Sequence, residues 1–166
     1  MPNIRQEVFT SIHEQWLSQT IEMAVENVKN GGGPFAAIVV RDGKIIGKGT
    51  NQVHVLHDPS AHAELLAIRQ ACETLQSIDL SDCVLYASGE PCPMCLGAAY
   101  WSTVGHIYYA CGKQEVSEQT DFQNPLDRYF TDQKLPGDQR LVPFVQVTCK
   151  NALAPFYEWQ KTTEQK

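Results

Sequence analysis

At 166 residues, 43% of them apolar, the chain is the size of one domain and can bury a core without disulfide staples. A formal net charge of −6 and the lack of any Lys/Arg cluster argue against a nucleic-acid partner, whose phosphates are gripped largely by cationic side chains. No apolar run approaches the ~20 residues of a membrane span, and Met1 to Thr10 is polar without a signal-peptide core, so a cytoplasmic location is expected.

In chain order, Leu17, Ile21, Ala24, Val25 and Val28 fall at helical spacing and predict a core-facing helix from about Ile12 to Asn30, stopped by Gly31-Gly32-Gly33. These glycines follow a helix instead of opening one, which sets aside a phosphate-binding loop. The apolar run Phe35 to Val40, the turn Arg41-Asp42-Gly43-Lys44 and the return from Ile45 predict a hairpin. Asn51 to His57 reads as a loop. Asp58 and Pro59 read as N-cap and first residue of a helix reaching about Leu75, with Leu65, Ile68, Cys72 and Leu75 at helical spacing. Cys83 to Ala87 predicts a strand, Gly89-Glu90-Pro91 a turn, Cys92 to Tyr100 a helix and His106 to Ala110 another strand. Gln114 to Gly137 is polar with helical patches. Leu141 to Thr148 reads as a final strand, and Asn151 onward as a last helix with Pro155 near its start. Helices alternating with strands indicate an α/β domain with helices on both faces of one sheet.

Two stretches carry chemistry: Asp58-Pro59-Ser60-Ala61-His62-Ala63-Glu64 and Glu90-Pro91-Cys92-Pro93-Met94-Cys95. One imidazole and two thiols can hold zinc while leaving a fourth position for water. Thiols three apart at a helix start face the same side, and the positive end of the helix favours the thiolates zinc needs. Zinc brings the pKa of a water toward neutrality, and Glu64, outside the ligand set, can act as general base and then general acid. The natural target is an amidine-like carbon of an aromatic heterocycle, with ammonia leaving. Taken singly, each part has a plainer reading. A lone C-x-x-C is more often a redox dithiol or half of a structural zinc knuckle. His62 alone reads as a partly buried capping histidine, and Glu64 alone as a solvated first-turn carboxylate. It is the joint pattern, His-x-Glu with Pro-Cys-x-x-Cys, that points to catalysis. Six cysteines without a secretion signal read as reduced thiols, with Cys72, Cys83, Cys111 and Cys149 in the core. His13, His54, His57 and His106 lack ligand spacing and read as surface or loop residues.

His-x-Glu with Pro-Cys-x-x-Cys matches the signature of nucleobase zinc deaminases. With Gly33-Pro34-Phe35-Ala36-Ala37, Asn51, Leu96-Gly97-Ala98 and Tyr100-Trp101, the chain resembles the cytidine deaminase superfamily and, within it, the bacterial guanine deaminase branch. The similarity runs from the first helix to Trp159. The resemblance implies a three-layer α/β/α sandwich with a central mixed sheet of about five strands, in a single domain over residues 1–166. It implies one Zn2+ per subunit on His62, Cys92 and Cys95, and a homodimer that exchanges a C-terminal segment, about 150–166. It further implies that the Asn51 amide and the Ala63 N–H bind the base edge, that Phe35, His62 and Trp101 enclose the ring, and that Glu64 is catalytic. An acidic residue would assist the leaving amine; Asp127 matches best and Asp121 competes with it. On spacing alone Asn51 is an ordinary loop amide and Asp127 a surface aspartate. Two departures stand out. Gly89 replaces a cysteine usual in the branch, and the base-contacting terminal tyrosine has no counterpart in Thr163-Glu164-Gln165-Lys166. The expected reaction converts guanine and water to xanthine and ammonia. Another heterocycle (guanosine, cytosine, adenine or a triazine), a tRNA adenosine deaminase, and a binding module with structural zinc are the alternatives.

Overall fold

The computed structural model of the chain describes residues 4–124 and 126–163, so the terminal Glu164-Gln165-Lys166 lies outside the described residues. The chain divides into two compact units, Met1–Phe122 and Gln123–Lys166.

The first unit is built on a hairpin, β1 (Ala36–Arg41) and β2 (Lys44–Thr50). Asp42 and Gly43 have φ of 49° and 68°, the left-handed pair that a two-residue hairpin turn requires. β1 also pairs antiparallel with β3 (Val84–Gly89), which pairs in parallel with β4 (His106–Cys111), giving the order β2-β1-β3-β4. A parallel pair needs a crossover, and α4 (Pro93–Trp101) supplies it. Alternate residues of β1 face opposite layers. Ala37 and Val39 pack in one core with Ala63, Ala67 and Ala71 of α3 (Ala63–Leu75) and Ala99 of α4. Ile38 and Val40 pack in a second core with Trp16, Leu17 and Met23 of α1 (Ile4–Lys29). The unit is therefore three-layered, as expected.

Gly47 and Gly49 let α3 lie directly on β2. A Cβ on Gly49 would stand 2.0 Å from the Ala63 carbonyl oxygen, and one on Gly47 2.2 Å from that of Ala67. The Asn51–His57 loop contains a single helical turn, α2 (Val53–Leu56). α5 (Lys113–Gln119) follows β4.

Several expectations are corrected. The buried face of α1 is only part of the apolar stripe: Ala24 is buried and Leu17 packs in the second core, but Ile21, Val25 and Val28 are about half exposed, while Thr20 and Asn27 are buried. Polar side chains can occupy that face because they are hydrogen-bonded, Thr20 to the Leu17 carbonyl (2.7 Å) and Asn27 to the two segments described below. α3 does not begin at Asp58. The Asp58 carboxylate accepts the N–H and hydroxyl of Ser60 (2.8 and 2.6 Å), a side-chain turn that closes before the helix starts. Finally, the sheet has four strands among the described residues. Residues 141–148 pair with no strand; Pro143 brings no N–H, and Leu141, Val142, Phe144, Val145 and Val147 are exposed.

The second unit holds α6 (Asp127–Asp132), a 3-10 turn (Gly137–Gln139) and α7 (Ala154–Thr163). Arg140 ties it together, donating to the carbonyls of Leu135 and Gln133 and lying over the Phe144 ring. Cys149 is exposed, against the expectation of a core thiol. No helix among the described residues is long and apolar enough to cross a membrane.

Candidate metal centre and active site

Two helix N-termini meet at the centre. His62 is the N-cap of α3, with extended backbone (φ −74°, ψ 149°), and its carbonyl accepts the first helical N–H from Leu66 at 3.0 Å. Cys92 is the N-cap of α4, followed by Pro93 at a position where a missing N–H costs nothing. Cys95 then falls at the third helical position, on the side of the helix that an N-cap side chain reaches. The Cys92 and Cys95 sulfurs are 3.5 Å apart, and each is 3.6 Å from His62 Nδ1. Tetrahedral zinc with ordinary Zn–N and Zn–S bonds sets about 3.6 Å between nitrogen and sulfur and about 3.8 Å between sulfurs. Donor types and spacing both fit a catalytic zinc site, and the three ligand atoms form a group able to hold a metal ion.

Electrostatics at the site favour a thiolate at Cys92. Cys92 has its thiol pKa pushed down, first by the hydrogen bond from Cys95 and then by His62; Cys95, the donor of that bond and buried, is pushed up. His62 is raised, chiefly by its bond to Cys92. The two helix ends add partial positive charge beside both sulfurs. Glu64, second residue of α3, is 5% exposed and stands with Oε2 3.5 Å from the Cys95 sulfur. Burial raises its pKa, so it takes up a proton more readily than an exposed carboxylate.

The other expected residues differ in burial and in what holds them. Ala63 is the first residue of α3, where an N–H has no intrahelical acceptor. Asn51, buried just after β2, donates its N–H to the Phe35 carbonyl at 2.9 Å, and Gln52 donates to the Ala61 carbonyl, next to His62, also at 2.9 Å. The Phe35 ring lies against Gly89, where a Cβ would come within 2.9 Å of it; the departure at position 89 thus makes room for this ring. Phe122 meets Phe35 edge-on, ring centroids 5.6 Å apart, a partner that spacing did not reveal. The competing Asp121 adjoins Phe122 and is exposed. Trp101 ends α4 with 87% of its surface exposed, and Asp127 opens α6 in the second unit, also exposed. Glu90, between β3 and Cys92, accepts the Lys113 N–H at 2.9 Å and so ties the cysteine loop to the start of α5. Ser88 accepts the Ala36 N–H at 3.0 Å, a second tie that no motif announced.

Comparison with known proteins agrees with this geometry. Guanine deaminase of Bacillus subtilis is 42% identical over 155 residues, 93% of this chain and 97% of that protein. The crystal structure of guanine deaminase from Bacillus subtilis superposes with a TM-score of 0.83 at 43% identity, covering 90% of this chain and 94% of that one. The tRNA-specific adenosine deaminase of Aquifex aeolicus is 39% identical over 114 residues, 69% of this chain and 76% of that protein. The MafB19-like deaminase model matches residues 11–138, a span that includes all three metal-ligand candidates and Glu64, and the chain belongs to that family.

Proposed function

We propose that the chain is a zinc-dependent hydrolytic deaminase that converts guanine to xanthine with release of ammonia. The observation that carries this reading is Glu64, a buried carboxylate that is not one of the three ligand candidates and yet touches Cys95. A purely structural zinc has little use for such a group.

His62, Cys92 and Cys95 would hold the metal. When bound, zinc supplies Lewis acidity that brings the pKa of a water to about 7. Glu64 takes the proton of the attacking water and passes it to the ring nitrogen beside the amino-bearing carbon. It then takes the remaining proton from the new hydroxyl group and delivers it to the departing amine, so that one C–O bond forms, one C–N bond breaks and one water is consumed. The Asn51 amide and the Ala63 N–H are the groups proposed to read the base edge, with Phe35 and Trp101 as ring-enclosing side chains. Of the two aspartates, Asp127 is the proposed assistant to the leaving amine; comparing Asp127→Asn with Asp121→Asn decides between them. A homodimer exchanging residues of about 150–166 belongs to the same reading, and the exposed Phe156, Tyr157 and Trp159 of α7 support it. So does a cytoplasmic location, where thiols stay reduced.

Ammonia release is measured across guanine, guanosine, adenine, cytosine and a triazine, with zinc assayed on the same preparation. Guanine is expected to be the preferred substrate; silence with every base overturns the reading. Glu64→Gln should keep its zinc and lose about 10²–10⁴ in kcat. Unchanged turnover removes Glu64 from the mechanism. The adenosine deaminase relative makes tRNA a necessary arm of the panel, and the net charge of −6 predicts no turnover there.

A further inference from the structure

We infer that Asn27, on α1, is a positioning residue for base recognition: its buried amide fixes the segments that carry Asn51 and Phe35. This rests on the proposed roles of those two residues. Asn27 Nδ2 donates to the Gly33 carbonyl at 2.8 Å and to the Asn51 carbonyl at 2.9 Å. Its Oδ1 accepts from Gln52 Nε2 at 2.6 Å, and its backbone carbonyl accepts the Gly32 N–H at 2.8 Å. All four bonds go to the two stretches that lead into and out of the hairpin.

Those stretches are also bonded to each other. Gly33 N–H donates to the Asn51 carbonyl (3.0 Å), Asn51 N–H to the Phe35 carbonyl (2.9 Å) and Phe35 N–H to the Gly33 carbonyl (2.9 Å). Each carbonyl that Asn27 grips is therefore shared with this ring of backbone bonds. Losing the amide would take one of its two donors from each of these carbonyls and free the Asn51 backbone to shift.

The glycine run fits the same design. Gly31, at φ +86°, closes the end of α1, and the Gly31 and Gly32 N–H groups cap the carbonyls of Val28 and Asn27. A Cβ on Gly32 would fall 2.3 Å from Asn27 Nδ2, and one on Gly33 2.5 Å from Asn51 Oδ1. Both glycines are cut away where these two amides sit. Asn51 places its own Oδ1 toward the Val53 N–H (3.4 Å), which turns its NH2 group away from that contact. The stop signal of a helix thus doubles as the seat of a recognition amide.

The test is a double-mutant cycle on guanine turnover with zinc content measured throughout. Asn27→Ala is expected to raise KM by about tenfold, to lower kcat by less than about threefold and to leave zinc unchanged. In an Asn51→Ala background the same change should cost less than about twofold in kcat/KM, because there is no longer an amide to position. Equal fold losses in both backgrounds overturn the inference, since a merely structural residue lowers both alike. Should Asn27→Ala fail to fold, Gln52→Ala removes the bond to Asn27 Oδ1 and is expected to raise KM by about threefold, again only when Asn51 is present. An unchanged KM overturns the role. Wild-type protein silent on all bases overturns the functional reading itself, whereas turnover with additive losses overturns the positioning role alone.

Discussion

His13 and His62 belong to opposite layers of one sheet, and their surroundings push their protons in opposite directions. His62 is bonded to the Cys92 sulfur and lies near the Glu64 carboxylate, so its pKa is raised. His13, on α1, bonds through Nδ1 to the Tyr86 hydroxyl at 2.8 Å and stacks on Tyr108 with ring centroids 4.1 Å apart. Partial burial, and then the nearby His106, lower its pKa below 6.5. The unfolded chain, with an ordinary histidine, therefore binds the proton more tightly than the folded one. His13's contribution to stability is complete above about pH 6.5 and is lost as pH falls through the lower folded value. Thermal unfolding followed from pH 5 to 8 (about the span in which histidine titrates) should show Tm rising across the acid side, and His13→Gln should flatten that rise. An identical slope in wild type and variant would assign the acid sensitivity to other groups. Sequence reading left His13 on the surface because nothing in a helix period reveals that a tyrosine seventy-three residues away completes its hydrogen bond.

At the scale of elements, the site depends on how closely α3 lies on β2. The Gly49 Cα faces the Ala63 carbonyl with no room for a methyl group, and Ala63 lies between His62 and Glu64. Gly49→Ala should therefore destabilise the fold by about 1–3 kcal/mol through overpacking against backbone that cannot yield. It should also weaken zinc retention, because α3 can retreat only by carrying His62 away from the cysteines. Chemical denaturation and metal analysis on one preparation check both halves. Loss of stability with full zinc affinity would show that α3 shifts without moving its N-cap. The elements themselves were largely legible: the hairpin with its Asp42-Gly43 turn, α3, α4 and the strands before and after α4 follow from periodicity and turn residues. What could not be read was which face of α1 turns inward, since Thr20 and Asn27 are buried for hydrogen bonds made with partners, not for their own hydropathy. The true start of α3 was hidden in the same way, by a serine that diverts the apparent cap at Asp58.

For the molecule as a whole, the metal motif was legible because zinc constrains residue type and spacing so tightly that His62, Cys92 and Cys95 announce one another across thirty residues. The region after Phe122 was not, because its apolar side chains are exposed and no ladder fixes residues 141–148 as a strand. This division has a measurable consequence. All three ligand candidates lie in the unit Met1–Phe122 and join the N-termini of two helices on one face of the sheet, while every described cysteine is free and no disulfide shares that task. A metal bound at one hundred times its dissociation constant stabilises the folded form by about 2.7 kcal/mol. For a chain of this size that is a fall in Tm of about 5–10 °C when the metal is stripped by a chelator. Hydrogen exchange should place the loss in the segments around His62 and around Cys92 to Cys95, with α7 exchanging as before. A chelator that changes neither Tm nor exchange at those segments would mean that the imidazole and the two sulfurs do not grip a metal, and the assignment of Glu64 to proton transfer would fall with it.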